Sequence, residues 1–459
     1  MIKKHFEEQT AILLSVTKWI VLSSVVGIII GAIVTLFLKT IHLAEAYQQK
    51  LPFAYYYTLP FVLVFVVWLI RTFAPSAEGH GTEKVIEAVH KRHGKIDLKV
   101  VPIKLIATVL TIFAGGSVGK EGPAGQIGAA SASGLSDLLR FSDSDRKKIV
   151  ICGISAGFAS VFGTPIAGAI FGVEVLIIGV ILYDVLLPSF IAGFAAFTTA
   201  QFLGIEYTYF DMHYYQSISL DPILIAKVIG AGLFFGLVSD IVVTSMQLMH
   251  KGIQKIPLNI YIKSFIIGLV LVLIGALFGA QYLGLGMETI QDTLNPDPYF
   301  AKDLPWYAFL LKTITTSLTL SGGGSGGVIT PIFYIGATSG HAFGSWFDYE
   351  HITLFAALGF VSVLSGAANA PIAATIMAVE LFGLEIAHYA ALSAVISFLV
   401  TGHRSVFPSQ ILAMRKSEIL EVKIGEEIEK AEVEIESSQL SRFQKIRRRI
   451  LRKKMRLKK

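Results

Sequence analysis

One set of glycine, proline and charged positions occurs twice in this chain, and the spacing between the two occurrences hardly drifts. Gly79-His80-Gly81-Thr82-Glu83 returns as Gly284-Leu285-Gly286-Met287-Glu288, and Lys104 returns as Lys312. Gly115-Gly116-Ser117 returns as Gly323-Gly324-Ser325, Pro123 as Pro331, and Ile127-Gly128-Ala129 as Ile335-Gly336-Ala337. Pro165-Ile166-Ala167 with Val173-Glu174 returns as Pro371-Ile372-Ala373 with Val379-Glu380. The offset stays between 205 and 208 throughout. Chance similarity between apolar helices would not hold one offset over so many helix-breaking and charged positions. The chain is therefore two copies of one unit, and its fold must accommodate each element twice. Residues 1–204 carry the first copy, 205–220 a polar and aromatic connector, 221–414 the second copy, and 415–459 a charged tail.

The copies are too apolar for water. The chain is 53% hydrophobic and 16% charged, where a soluble domain carries about 25% charged residues. Apolar runs of spanning length cover residues 11–38, 55–70, 223–249 and 260–282. Others are cut short around Pro123, Pro165, Pro331 and Pro371. A full span needs ~20 residues, and broken ones are tolerated only inside protein or along a polar cavity. The fold class is an all-α polytopic membrane protein with multiple passes through the cell membrane, and the lipid bilayer is its first partner.

No cleavable signal peptide is evident, because the first apolar segment is too long for one. The single cysteine, Cys152, excludes an intrachain disulfide and a cysteine-based metal site. No His-Glu-x-x-His helix or Walker A loop is present, so neither a metal nor a nucleotide cofactor is expected. Residues 416–436 carry Glu and Lys at helical spacing and read as a solvated amphipathic helix. Residues 441–459 hold eleven Lys or Arg and no acid. A nucleic-acid arm is the weaker reading of that tail. The better one is a cytoplasmic segment lying on anionic lipid.

Chemistry concentrates where glycines surround a charge. Glu121 sits in Gly119-Lys120-Glu121-Gly122-Pro123, and its second-copy counterpart is Ile329. An ionisable residue at membrane depth is costly and marks a functional site by default. Gly122-Pro123 reads as a helix start, so Glu121 is either a cap or a gate. As a gate, its carboxylate would occupy an electropositive helix end that otherwise holds an anion. The run Ser321 to Pro331 repeats the glycines without the acid. The N–H groups of Val328, Ile329 and Thr330 head a helix there and are anion donors. His80, between Gly79 and Gly81, either faces the pathway or is a packing residue. Lys104 and Lys312 either set a positive field or snorkel to the surface.

These residues resemble the CLC family of chloride channels and anion/proton antiporters. The likeness runs over residues 11–414. Gly119-Lys120-Glu121-Gly122-Pro123 resembles the G-[KR]-E-G-P motif, Gly79-His80-Gly81 resembles G-S-G-I-P, and Gly327-Val328-Ile329-Thr330-Pro331 resembles G-x-F-x-P. Phe407, in Val406-Phe407-Pro408, falls where the family places a pore tyrosine before its last cytoplasmic helix. The resemblance implies a homodimer of separate pores, both termini in the cytoplasm, and about eighteen tilted helices per subunit in two inverted repeats. It further implies an anion site formed from Gly79, His80, Gly81, Lys120, Glu121, Gly122, Val328, Ile329, Thr330 and Phe407, with Glu121 as the gating and proton-transfer glutamate.

Four departures from the family pattern stand out. His80 replaces a serine, Glu83 stands at a proline, Phe407 lacks a hydroxyl, and Val175 follows Glu174 where chloride antiporters carry an internal proton-transfer glutamate. Glu174 is mirrored by Glu380, which favours a structural role for both. The bacterial fluoride/proton antiporters also lack the internal glutamate and replace the serine, although with methionine and with an extra acid near the Val328 position. The expected function is transport of a small inorganic anion, chloride by default, coupled to proton antiport. The alternatives are a passive anion channel, a fluoride/proton antiporter and, remotely, an intramembrane enzyme.

Overall fold

The computed structural model describes residues 2–210, 212, 221–295, 297–301 and 304–435. The basic tail at 441–459 and most of the connector lie outside the described residues. The first copy forms α1 (Ile2–Gln48), α2 (Leu59–Phe73), α3 (Thr82–Lys91), α4 (Val100–Phe113), α5 (Glu121–Leu138), α6 (Asp143–Phe162), α7 (Pro165–Glu174) and α8 (Tyr183–Phe202). The second forms α9 (Pro222–Lys255), α10 (Ile260–Phe278), α11 (Met287–Thr293), α12 (Ala308–Ser321), α13 (Ile329–Phe347), α14 (Ile352–Ala368), α15 (Pro371–Phe382) and α16 (Ala387–Val400). Each half thus supplies eight α-helices among the described residues.

Local rules explain the boundaries. Pro165 and Pro371 open α7 and α15, where a proline's missing N–H costs nothing. The helices before them end on left-handed residues, Gly163 after α6 and Asn369 after α14, the common way to close a helix. Among the described residues six helical stretches are long and apolar enough to cross a bilayer: 3–48, 55–73, 183–202, 222–255, 260–278 and 349–368. Two of these were not legible as runs. Pro188 lies inside α8, and α14 is the short continuation of a turn containing Glu350 and His351.

Surroundings differ sharply among these spans. α10 exposes Ile262, Ile266, Leu269, Leu273 and Leu277, as a lipid-facing helix does. α14 is apolar all round and every one of its residues is buried, which is the pattern of a helix inside protein.

Contacts between the halves are reciprocal. Gly119 and Gly327 exchange backbone hydrogen bonds, the Gly119 N–H at 2.7 Å and the Gly327 N–H at 2.6 Å. The Ser117 N–H donates to Thr319 Oγ1 and the Ser325 N–H to Thr111 Oγ1, both at 3.1 Å. Glu174 accepts from the N–H groups of Ile372 and Ala373, while Glu380 accepts from those of Ile166 and Ala167. Each carboxylate therefore caps the opening of its copy's partner helix. The matched lysines are fully buried and do not snorkel. Lys104 Nζ donates to the carbonyls of Ala77 (3.1 Å) and Gly79 (2.5 Å), and Lys312 Nζ donates to that of Gly284 at 2.8 Å.

The segment after α16 corrects one expectation. Residues 416–435 form no α-helix. Instead β3 (Leu420–Glu421) pairs antiparallel with β4 (Glu434–Ile435). The stretch Leu420-Glu421-Val422-Lys423-Ile424 alternates with period two, and Gly425 breaks it at φ 91°. Alternation suits extended chain rather than helix. Val422 and Ile428 pack with Ile178 and Leu412, while β1 (Ile177–Ile178) pairs parallel with β2 (Ile411–Leu412). The C-terminal segment is thus bound to the exit of α7.

α1 serves as a ruler. Lys18 pairs with Asp145 at the start of α6. Gln48, at the other end of α1, donates to the Phe113 carbonyl. Thirty residues of helix separate Lys18 from Gln48, roughly 45 Å at 1.5 Å per residue. Gly94, which follows α3, packs against Lys147 and Val150 of α6. Lys91 of α3 pairs with Glu427 of the C-terminal segment. α3 and the C-terminal segment therefore belong to the Lys18 mouth, and the end of α4 belongs to the opposite one.

Candidate functional site

The antiparallel Gly119–Gly327 bridge delivers two helices, α5 and α13, with their first turns side by side. Both openings are glycine-rich because the backbones nearly touch. A β-carbon on Gly122 would lie 2.2 Å from the His80 carbonyl oxygen and 3.0 Å from Gly327 Cα. A first turn carries backbone N–H groups without intrahelical partners and the positive end of the helix dipole. Two such ends at one point make an electropositive spot inside the protein.

Glu121 occupies it. The side chain starts on α5, yet its Oε2 accepts from the Thr330 N–H at 3.1 Å and the Thr330 hydroxyl at 2.5 Å, both on α13. The residue is only 3% exposed. Glu121 is therefore a cap, but of the other copy's helix, where an anion could otherwise take the same donors. Charge-assisted hydrogen bonds of this kind are short and about twice as strong as neutral ones.

The other expected residues fall into three groups. Gly122, Val328, Ile329 and Thr330 lie with Glu121 at the paired helix starts and are buried. His80 and Gly81 pack on Gly122 through the backbone: the His80 carbonyl faces Gly122, and a β-carbon on Gly81 would lie 2.5 Å from the Gly122 oxygen. Phe407 is fully buried and reaches this group through the His80 ring, with centroids 5.8 Å apart. His80 Nδ1 is enclosed without a hydrogen-bond partner.

The third group stands apart. The Gly79 carbonyl is held by Lys104. Lys120 is half-buried, and its charged neighbours are His42 and Glu45 of α1. Its charge therefore acts on the Gln48 end of α1.

One pairing was not legible in the sequence. Glu83 Oε1 accepts from the Ser409 N–H at 2.9 Å and also from the Ser409 hydroxyl. The two residues are 326 apart, and no local pattern links them. A second cluster, in which Asn369 Nδ2 donates to Gln410 Oε1 at 3.1 Å and Lys416 Nζ to Asn369 Oδ1 at 2.5 Å, ties the C-terminal segment under α14. Among the described residues no group of three or more His, Cys, Asp or Glu could hold a metal ion.

Residues 61–402 match the family described as voltage gated chloride channel. The chain belongs to the CLC family. A chloride/fluoride channel protein of Pseudomonas syringae pv. tomato is 34% identical over 417 residues, covering 89% of this CLC chain and 90% of the relative. The ClcB voltage-gated ClC-type chloride channel of Shigella flexneri is 28% identical over 318 residues, covering 66% of this chain and 72% of the relative. Among solved structures, a CLC-type fluoride/proton antiporter superposes with a TM-score of 0.81 at 30% identity, covering 86% of this chain and 98% of that one. A slow cyanobacterial Cl−/H+ antiporter superposes at 0.71 and 20% identity, covering 83% and 94%, which supports the fold alone. The chain is thus an all-α, multi-pass membrane protein of the CLC type, a channel or transporter rather than an enzyme, and it moves a small anion across the bilayer.

Proposed function

We propose that this protein exchanges fluoride for protons, and that Glu121 is the residue at which the two compete. The observation carrying the mechanism is the Glu121 carboxylate on the first turn of α13, bonded to the Thr330 N–H and hydroxyl. A carboxylate and a halide are alternative occupants of those donors. Protonation removes the charge that holds Glu121 there, so proton uptake and anion entry are linked through one site. In the anion-bound state Val328, Ile329 and Thr330 supply N–H donors, Gly122 gives the backbone room, and His80 and Phe407 wall the pathway.

Fluoride is suggested by two similar proteins at 30% identity or more, one named a chloride/fluoride channel protein and the other a CLC-type fluoride/proton antiporter. Chemistry agrees. The donors at the Glu121 contact are compact N–H and O–H groups. Fluoride is the smallest halide and the strongest hydrogen-bond acceptor among them. Such a site compensates its dehydration better than it accommodates a larger, softer ion.

The same reading has the two halves inverted about an axis in the membrane plane, with boundaries at 204, 221 and 414 and with further short helices bringing the family's count to about eighteen. It also has a homodimer and both termini in the cytoplasm, on the Lys18 side of the bilayer.

The test is reconstitution in liposomes loaded with fluoride or chloride, with external pH recorded during anion efflux. Fluoride-driven proton uptake that is lost in Glu121→Gln is the expected result. Anion flux without proton movement in the unaltered protein would make it a passive channel. Proton uptake driven by chloride but not by fluoride would overturn the choice of ion.

A further inference from the structure

Residues 80–83 bury three polar side-chain atoms that have no hydrogen-bond partner: His80 Nδ1, Thr82 Oγ1 and Glu83 Oε2. Enclosed polar atoms are almost always paired, and leaving one unpaired costs about 1–3 kcal/mol. Three within four residues mark a place where packing has been subordinated to something else. The surrounding geometry gives these atoms a direction. At one end, Glu83 Oε1 is held by the Ser409 N–H and hydroxyl in the C-terminal segment, on the Lys18 mouth. At the other, His80 and Gly81 lie against Gly122, the residue next to Glu121. The segment therefore runs from the Lys18 mouth to the occupied helix end and carries the three unpaired atoms.

We infer that Glu83 is a second proton-transfer carboxyl, which takes a proton from water on the Ser409 side and passes it toward Glu121. This inference rests on the proton coupling proposed above. In the step, the O–H bond at Glu83 Oε2 breaks and an O–H bond at the Glu121 carboxylate forms. Glu83 is left anionic and Glu121 neutral, with His80 Nδ1 and Thr82 Oγ1 as the unpaired atoms available to relay the proton. The Ser409 donors hold Oε1, which leaves Oε2 as the oxygen that carries the proton. Other charged groups near this line are Lys84 and Glu87, which pair with each other on α3, and Lys104 and His250 near His80. No lysine or arginine pairs directly with Glu83 among the described residues.

The experiment measures protons moved per fluoride in liposomes for the unaltered protein, Glu83→Gln, Glu83→Asp and Ser409→Ala. Glutamine keeps the shape and an acceptor for Ser409 but holds no exchangeable acidic proton. The ratio is expected to fall at least tenfold in Glu83→Gln and to recover in part in Glu83→Asp. Ser409→Ala should retain coupling with an altered pH profile. A merely structural role for Glu83 would lower the yield of folded protein without changing the ratio in the fraction that folds. If Glu121→Gln uncouples while Glu83→Gln and Ser409→Ala both keep the original ratio and pH profile, the assignment of Glu83 is wrong and the proposed exchange stands. If the unaltered protein moves no protons, both are wrong.

Discussion

Two kinds of carboxylate cap helix starts in this protein, and symmetry separates them. Glu174 and Glu380 are copies of each other, and each caps the first turn of the helix that mirrors its neighbour's. Neither can leave without depriving two backbone N–H groups of their acceptor, and the arrangement is the same in both halves. Glu121 also caps a helix from the opposite half, but Ile329 faces it in the duplicate. The duplication therefore built a scaffold that needs no acid at this position. An acid on one side only, at a cost in desolvation, is what the proposed gating role requires.

The largest effect should come from placing the three acids side by side in one experiment. Glu121→Gln is expected to reduce proton-anion coupling by roughly 100-fold, the upper range of site-to-site coupling, while the fold persists. Glu174→Gln and Glu380→Gln should each set an amide NH2 against backbone donors and lose about 1–3 kcal/mol of stability. That would appear as a lower melting midpoint in detergent, with an unchanged proton-to-anion ratio in the protein that remains folded. The comparison breaks if Glu174→Gln uncouples transport without lowering stability, because a mirrored carboxylate would then be functional too.

Much of this was legible in the sequence, for physical reasons. Gly119 with Gly327 and Pro165 with Pro371 are demanded by close backbone approach and by helix starts, so they appear in both copies and announce the scaffold. Glu121 announced itself as a charge among glycines. The Lys120 side chain did not, because its neighbour in sequence is Glu121 but its neighbours in space are His42 and Glu45 on α1. The Glu83–Ser409 contact was hidden because it joins the first copy to a segment outside the duplication, where no offset could reveal it. The helix expected at 416–436 failed because alternating apolar residues and Gly425 outweighed the spacing of its charges.

A finer test asks how firmly the unmirrored acid is held. Thr330 supplies both donors to Glu121 Oε2, and Thr330→Val removes the hydroxyl while keeping the shape and the N–H. A hydrogen bond to a charged group contributes about 1.5–3 kcal/mol. The carboxylate should vacate the helix end more readily, and anion flux should rise by about tenfold at saturating gradient, with looser coupling. Slower flux in this variant would mean that the hydroxyl serves the anion more than it serves Glu121, which would move the gate's hold onto the backbone alone.

The smallest effect sharpens the comparison from outside the membrane. Glu427 is another carboxylate without a counterpart in the first half, but it lies in the C-terminal segment beyond the two copies. Its Oε1 pairs with Lys91 at 2.8 Å and its Oε2 with Lys430 at 2.9 Å. Hydrogen bonds from Lys91 and then Lys430 hold its carboxyl below the ordinary value of 4.5. The folded form therefore gains stability from Glu427 above that ordinary value and loses it as pH falls through the lower, folded one. Because both lysines are well exposed, the gain should be only ~0.5–1 kcal/mol. Glu427→Gln should accordingly speed limited proteolysis of the C-terminal segment at neutral pH, and the difference from the unaltered protein should shrink on acidification below about 4.5. Salt should shrink it as well, since exposed pairs are screened. A change in proton-to-anion ratio would contradict this division, because lack of a symmetry mate would then mark function even in an acid already paired with two lysines.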